Sequence, residues 1–312
     1  MANALTTAQA QRLLTGMYGS RAAGLSPLGA GEWSQAYAFD LDGQPAVIRF
    51  GHYVADFVKD QAMAAHGSAA LPIPAVTEIG RTDTGYFAIS ERAPGHLLND
   101  LDAAGIRAAL PALLAALDAI RDIDVSASRG YGLWDPEGDA PARSWPEALL
   151  AVNQETERVP GWRAVLAGSP VGAGPFDEAY ATLERLVEGL PAERHIVHGD
   201  LANRNVLIEG ATVTAVIDWG NSLYGDYLYD AAWLIYWWEW FPRWQAIDIR
   251  AELRDHWHKH GGPPADLHHR LRAYLIHIGL DALSYNAFTR RWEDLARNAS
   301  RVSELVRSDK KS

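Results

Sequence analysis

Three side chains that offer oxygen ligands lie close together in the second half of the sequence. Asp200 closes the tripeptide His198-Gly199-Asp200, and Asn205 follows five residues later. Asn205 directly precedes a short apolar strand at 206–208, and Asp218 directly follows a second one at 213–217. A hairpin of these strands brings Asn205 and Asp218 to the same end. Carboxylate and amide oxygens suit a hard cation such as Mg²⁺, which usually takes one or two carboxylates plus substrate phosphates.

Asp200 is a further carboxylate next to this predicted metal site. A carboxylate at such a position can accept the proton of a substrate hydroxyl. The alternative is a buried polar hairpin that contains these residues by coincidence. That alternative requires residue type, spacing and strand context to coincide, so the sequence favours a catalytic site.

The segments before this site predict a small antiparallel sheet. Strands at 36–41 and 46–50 flank Asp42-Gly43, a strong hairpin turn signal. A helix is predicted at 6–17 and another at 55–66, and two more strands at 76–79 and 86–91.

After Ala93-Pro94-Gly95 the pattern becomes helical, with Ala- and Leu-rich or amphipathic segments at 106–120 and 176–190. The sequence therefore predicts an α+β fold of two lobes. The β-rich N-terminal lobe covers residues 1–91, and the mainly helical C-terminal lobe covers residues 92–312.

Composition limits the class of protein. The 312 residues carry 28 Lys and Arg against 39 Asp and Glu, a net charge of −11, which argues against a nucleic-acid partner. There is no cysteine, which excludes disulfides and Cys-ligated metals. We find no signal-peptide pattern, and the most apolar stretch, 231–238, is too short to span a membrane. We expect a cytoplasmic protein with no membrane partner.

The motifs themselves resemble a known family. His198-Gly199-Asp200 with Asn205, followed by Asp218-Trp219-Gly220, resembles the catalytic and metal-binding loops of protein kinases. The H-G-D and I-D-W forms, with the segment Gly225 to Asp230, are similar to the small-molecule branch, the aminoglycoside phosphotransferases. The segments at 31–37, 57–60, 69–74, 214–219 and 278–281 are similar to the hygromycin B phosphotransferases within it, which adds hygromycin B to the candidate acceptors.

The resemblance implies a two-lobed protein-kinase-like fold and a role for each of the three oxygen-bearing residues. Asp200 would face the acceptor hydroxyl as the catalytic aspartate. Asn205 and Asp218 would hold Mg²⁺ against the phosphates of ATP or GTP, between which the sequence does not distinguish.

The nucleotide-binding residues are predicted in the N-terminal lobe and at its end. Gly31 and Ser34 belong to the loop that would cover the phosphates, and Glu91 and Ala93 to the segment whose backbone would contact the base. Arg49 stands where kinases usually carry lysine, and the alternative is a surface strand residue. Asp60 is the nearest candidate for its acidic partner.

A cationic aminoglycoside is expected to bind near acidic and aromatic side chains of the C-terminal lobe. The candidates are Asp226, Asp230, Trp238 and Glu239. Asp226 and Asp230 have a structural alternative, bracing the catalytic loop, and for Asp230 it is preferred. Trp233 and Trp237, four residues apart, are expected in the core.

The predicted function is transfer of the γ-phosphoryl group of ATP or GTP to a hydroxyl of an aminoglycoside. Two alternatives remain at this point. One is a kinase acting on another small hydroxylated molecule, such as choline, homoserine, a sugar or a macrolide. The other is a pseudokinase that binds ligand without turnover.

Overall fold

The computed structural model describes residues 6–31, 33–202 and 204–308. By internal contacts the chain divides into two compact units. The first comprises residues 1–119 and 203–222, and the second comprises residues 120–202 and 223–312. This division differs from the predicted boundary after residue 91.

A five-stranded antiparallel sheet forms the centre of the first unit. Its strands are β1 (Ala22–Ala30), β2 (Ser34–Leu41), β3 (Gln44–Gly51), β4 (Val76–Thr82) and β5 (Gly85–Glu91), in the spatial order β1-β2-β3-β5-β4. The turn between β2 and β3 has positive φ at both central residues, Asp42 (53°) and Gly43 (77°), which matches the right-handed strand twist. The predicted hairpin is therefore confirmed, while β1 was not predicted.

Two helices accompany this sheet. Helix α1 (Thr7–Tyr18) begins at a capping box, in which the Thr6 and Gln9 side chains each accept the other residue's backbone N–H. It buries Ala10 and Leu14, one turn apart, against aromatic residues of the sheet. Helix α2 (Val54–Ala64) packs on β4 and β5.

The segment 203–222 joins the first unit through backbone pairing. Strand β6 (His96–Leu97) pairs with β9 (Val206–Glu209), which pairs with β10 (Thr212–Val216). The Val216 N–H also donates to the Pro72 carbonyl at 2.8 Å. These bonds explain why the unit does not end near residue 91.

Helix α3 (Ala103–Arg121) runs across the boundary of the two units. Among the described residues it is the one helix long and apolar enough to cross a membrane by length and composition. Its side chains Ile106, Leu110 and Leu113 are buried inside the protein, so we interpret it as a core helix.

The second unit is mainly helical. Its helices are α4 (Trp145–Leu150), α5 (Trp162–Ala167), α6 (Gly174–Leu186), α7 (Leu228–Trp238), α8 (Ile249–Lys259), α9 (Leu267–Thr289) and α10 (Trp292–Arg307). Helix α9 is central, because α5, α6, α7 and α10 all pack on it. A small sheet of β7 (Gly132–Leu133), β11 (Leu223–Gly225) and β8 (His195–Val197) completes the unit.

Candidate functional site

The hairpin of β9 and β10 places Asn205 and Asp218 at one end, as predicted. Val206 lies opposite Val216, and the Ile217 N–H donates to the Asn205 carbonyl at 2.9 Å. Asn205 is buried, whereas the Asp218 side chain is 46% exposed. An amide oxygen and an accessible carboxylate are the donors that Mg²⁺ prefers.

Asp218 has a backbone conformation that costs energy. Its φ of 65° and ψ of 63° lie in the left-handed region, which is unfavourable by about 1–2 kcal/mol for a residue with a Cβ. Such conformations persist where the surroundings enforce them, and they cluster at functional sites. The surroundings of Asp218 must therefore hold its backbone in this conformation.

Arg49 points towards this end of the hairpin and is not a surface residue. Its side chain, on β3, is 16% exposed and forms an ion pair with Asp60 of α2. Its Nη1 also lies 3.6 Å from the Asp218 carboxylate. The structure thus supports Asp60 as the acidic partner of Arg49.

Helix α2 also contacts the residues that follow Asp218. The Trp219 N–H donates to Asp60 Oδ1 at 2.7 Å. Lys59 donates to the Gly220 carbonyl at 3.2 Å and to the Ser222 carbonyl at 3.0 Å. The sequence analysis missed Lys59. The available signal was its place in an amphipathic helix beside Asp60, between the buried residues Phe57 and Met63.

The other predicted nucleotide residues lie in the first unit. The Gly31 N–H donates to the Ser34 carbonyl at 2.8 Å, which closes the turn between β1 and β2. Glu32, in this turn, is outside the described residues. Glu91 ends β5 opposite Ala46, and Ala93 follows in the connection to β6. These nucleotide-binding assignments stay predictions.

The tripeptide His198-Gly199-Asp200 belongs to the second unit and is held by Asp230. The Asp230 carboxylate accepts the backbone N–H groups of His198 at 2.8 Å and of Gly199 at 2.9 Å. Asp230 is 2% exposed, and burial raises its pKa to about 6 against the opposing effect of these two hydrogen bonds. The Asp200 N–H in turn donates to His198 Nδ1 at 3.2 Å, and the Asp200 side chain is half-buried.

The Asp226 carboxylate also lies in the protein interior. It is 1% exposed and accepts two hydrogen bonds from Arg270, at 2.7 and 2.6 Å, and one from the Tyr274 hydroxyl. The prediction that Asp226 and Asp230 contact substrate directly is therefore wrong for this structure. Their carboxylates are buried and saturated by protein donors, which supports the structural alternative.

In helix α7 the burial of the tryptophan side chains is the reverse of the prediction. Trp238 is 2% exposed and donates to the Trp244 and Ile247 carbonyls at 2.8 and 3.0 Å, so its assignment to the substrate is also wrong. Trp233 and Trp237 were expected in the core but are half-buried, and their ring centroids lie 5.8 Å apart with the planes tilted by 55°. Glu239 is exposed, as a substrate ligand should be, and forms an ion pair with Arg301.

An exposed carboxylate on α9 lies near this aromatic face, and the site analysis from sequence did not include it. Asp281 interacts electrostatically with Tyr229, whose ring stacks on Trp233. The surrounding protein raises the pKa of Asp281 to about 6 although the residue is exposed.

Comparison with known proteins gives one consistent result. The profile of the phosphotransferase enzyme family matches residues 24–298. The chain is 33% identical over 286 residues to hygromycin-B 4-O-kinase of Escherichia coli, covering 91% of this chain and 81% of that one.

Solved structures agree with the sequence comparison. Aminoglycoside phosphotransferase APH(4)-Ia superposes with a TM-score of 0.85 at 31% identity, covering 97% of this chain and 99% of that one. A thermostable mutant in complex with ADP and hygromycin B gives 0.83 at 32% identity, covering 95% and 97%. Aminoglycoside 2'-phosphotransferase-IIIa, at 15% identity and a TM-score of 0.58, shares the fold. The predicted α+β, protein-kinase-like fold is confirmed, and the chain belongs to the phosphotransferase enzyme family.

Proposed function

We propose that this chain transfers the γ-phosphoryl group of ATP to a hydroxyl group of an aminoglycoside, with hygromycin B the first acceptor to test. The observation that carries the proposal is the likeness, along nearly the whole chain, to hygromycin-B 4-O-kinase and to a structure that binds ADP with hygromycin B. The motif residues Asp200, Asn205 and Asp218 support it. The observed ADP and AMP-PNP complexes of related structures favour ATP over GTP.

The proposed reaction is a single displacement at phosphorus. The acceptor oxygen forms a bond to the γ-phosphorus, and the bond from that phosphorus to the β,γ-bridging oxygen breaks, releasing ADP. The hydroxyl proton passes to the carboxylate of Asp200. An ordinary aspartate, with a pKa of about 3.9, is a weak base at neutral pH. Because the transition state is loose, orienting the hydroxyl is the larger part of this residue's task.

The structure positions Asp200 through the backbone on its N-terminal side. Asp230 fixes the N–H groups of His198 and Gly199, and the His198 ring accepts the N–H of Asp200 itself. With its backbone held in this way, the Asp200 carboxylate has few orientations to lose when substrate binds. Preorganisation of this kind is worth more than basicity in phosphoryl transfer.

Asn205 and Asp218 would hold Mg²⁺, which neutralises charge on the phosphates when bound. Their oxygen donors fit this ion, and Asp218 is accessible for it. Arg49, whose guanidinium is held between Asp60 and Asp218, would bind phosphate oxygens in place of the usual lysine. Among the remaining nucleotide candidates, Gly31 and Ser34 would cover the phosphates, and the backbone at Glu91 and Ala93 would contact the base.

For the acceptor, the half-buried indoles of Trp233 and Trp237 replace Trp238 as the stacking surface. A sugar ring can pack its apolar face on such rings. Asp281 and Glu239 provide exposed carboxylates for the ammonium groups of an aminoglycoside. This assignment agrees with the cationic acceptor suggested by the net charge of −11. A cytoplasmic location, where ATP is available, is part of the same proposal.

An ADP-release assay tests the function. The acceptor panel is hygromycin B, kanamycin, choline and homoserine, and the variants are Asp200→Asn and the exposed control Asp255→Asn. We expect turnover with hygromycin B, near-complete loss in Asp200→Asn with ADP binding retained, and no change in Asp255→Asn. Turnover with only choline or homoserine would favour a metabolite kinase. Tight ADP binding without any turnover would favour a pseudokinase.

A further inference from the structure

We propose that Lys59 is a positioning residue for the metal site, and that α2 holds the segment 219–222 so that Asp218 is presented to Mg²⁺. The proposal rests on the proposed function only in taking Asp218 as a metal ligand. It adds a residue and a mechanical role that the motifs do not contain.

The contact is made by one face of α2. Asp56, Lys59 and Asp60 are three and four residues apart, so their side chains lie on neighbouring turns of the same face. Asp60 accepts the Trp219 N–H, and Lys59 donates to the carbonyls of Gly220 and Ser222. The segment is thus bound through one donor and two acceptors of its backbone, independently of its side chains.

Asp56 explains the glycine in this segment. A Cβ on Gly220 would lie 2.8 Å from Asp56 Cγ and 3.0 Å from its Cβ, which is closer than carbon atoms can approach. Any other residue at 220 would therefore push the segment away from α2. The close approach is what lets the ammonium of Lys59 reach two carbonyl groups.

Burial makes these hydrogen bonds significant. Lys59 is 3% exposed and Asp60 is 6% exposed, so both charges are removed from water and depend on their protein partners. A buried ammonium is a costly way to fix a loop, and an apolar side chain could fill the same space. We infer that the ammonium of Lys59 serves to fix the position of the segment 219–222 through its two hydrogen bonds.

Asp218 directly precedes the segment 219–222, so fixing this segment also fixes the backbone of Asp218. Its left-handed backbone is unfavourable by itself, and relaxation of 219–222 would allow it to return to an ordinary conformation. The carboxylate would then point elsewhere. Residues that orient metal ligands typically alter metal affinity 10- to 100-fold when removed.

The test compares Lys59→Met with Lys259→Met. Methionine keeps the length of the side chain and removes the ammonium, and Lys259 is an exposed lysine of α8 that controls for loss of one positive charge. Isothermal titration calorimetry measures the Kd of ADP with Mg²⁺ and with EDTA, and thermal unfolding confirms that each variant is folded.

We expect Lys59→Met to weaken Mg²⁺-dependent ADP binding by about tenfold or more, with the Kd in EDTA unchanged and Lys259→Met identical to wild type. If both Kd values change equally, or neither changes, Lys59 does not position the metal ligand and the inference is overturned. If wild type itself shows no Mg²⁺-dependent binding, the proposed function fails instead, which separates the two ideas.

A second variant alters the contact between α2 and the segment 219–222 by a change in the segment itself. Gly220→Ala leaves Lys59 in place but must displace the segment from Asp56, and the same loss of Mg²⁺-dependent affinity is expected. If Lys59→Met does not fold, this variant decides the question alone. Unaltered Mg²⁺ dependence in a folded Gly220→Ala protein would contradict the role of α2.

Discussion

Replacement of Asp230 by asparagine separates two consequences of burying a carboxylate against the backbone of His198 and Gly199. Burial raises the pKa of Asp230 to about 6, from an ordinary value of 3.8. A shift of this size corresponds to roughly 3 kcal/mol, at 1.36 kcal/mol per pKa unit. Between about pH 4 and pH 6 the native state keeps a proton that the unfolded chain has released. The contribution of Asp230 to the free energy of unfolding therefore falls as pH rises through this window, and is constant above it.

Asparagine does not ionise, so at pH 7.5 the variant avoids the cost of a buried negative charge. This raises its free energy of unfolding by up to about 3 kcal/mol. In wild type the His198 N–H donates to Oδ2 and the Gly199 N–H to Oδ1. Asparagine has a donor NH2 group in place of one of these oxygens, so one N–H loses its acceptor. An unsatisfied buried N–H costs about 1–3 kcal/mol. The two effects nearly cancel, and we expect a change in unfolding free energy within about 2 kcal/mol of zero.

The turnover number of Asp230→Asn should fall, in contrast to its nearly unchanged free energy of unfolding. With one of its two anchors lost, the backbone that precedes Asp200 is free to move, and we expect kcat to fall at least tenfold while the Kd of ADP is unchanged. Asp230→Ala, which keeps neither acceptor, should lose stability as well as kcat. Urea unfolding at pH values from 4.5 to 8, with steady-state kinetics at pH 7.5, measures both quantities.

Asp281 titrates in the same window, because its pKa is also raised to about 6, but its exposure reduces the effect on stability. His277 acts in the opposite direction, because burial lowers its pKa to about 4 from 6.5. The difference in unfolding free energy between Asp230→Asn and wild type isolates Asp230, and it should shift in favour of the variant as pH rises from about 4 to 6. The reasoning is refuted if the variant retains the full pH dependence of wild type. It is equally refuted if kcat is unaffected.

Further predictions concern the other charged residues. Asp218→Asn should weaken ADP binding in Mg²⁺ and not in EDTA, measured by calorimetry; equal Kd changes would contradict its metal role. Arg49→Lys should raise the KM of ATP in steady-state kinetics, because one ammonium cannot form the planar contacts of a guanidinium; an unchanged KM would place Arg49 outside the phosphate site. Asp281→Asn should abolish the fall in aminoglycoside KM expected as pH rises through 6, because the ionised carboxylate binds the cation; a retained fall would point to another group. Arg270→Met leaves Asp226 buried and unpaired, and should cost about 3–5 kcal/mol in urea unfolding, whereas the exposed Arg143→Met should not.

The sequence predicted the parts of the site that depend on local pattern. The hairpin turn at Asp42-Gly43 follows from turn chemistry, and the shared end of Asn205 and Asp218 follows from two short strands joined by a tight turn. Both features are determined within a short stretch of chain. The kinase-like fold was implied by the resemblance of the motifs to those of protein kinases and aminoglycoside phosphotransferases.

Features that depend on distant partners could not be predicted. Arg270, which saturates Asp226, lies 44 residues away, and nothing near Asp226 indicates that its carboxylate is buried. Helix α7 is apolar on all sides, so periodicity could not distinguish the buried Trp238 from the half-buried Trp233 and Trp237. Lys59 was not predicted as a site residue, because its carbonyl partners are more than 160 positions away.

The discontinuity of the first compact unit has a consequence for biosynthesis. Its N-terminal part ends at residue 119, and its remaining strands, with the residues that contact α2, are complete only at residue 222. At a translation rate of about 5–20 residues per second, the missing hairpin emerges roughly 5 to 20 s after the rest. During this interval β6 lacks its partner strand, and Lys59 and Asp60 lack the backbone groups that they bind in the finished protein. The nascent first unit is thus exposed to misfolding and to chaperones until the segment that carries Asp218 completes it.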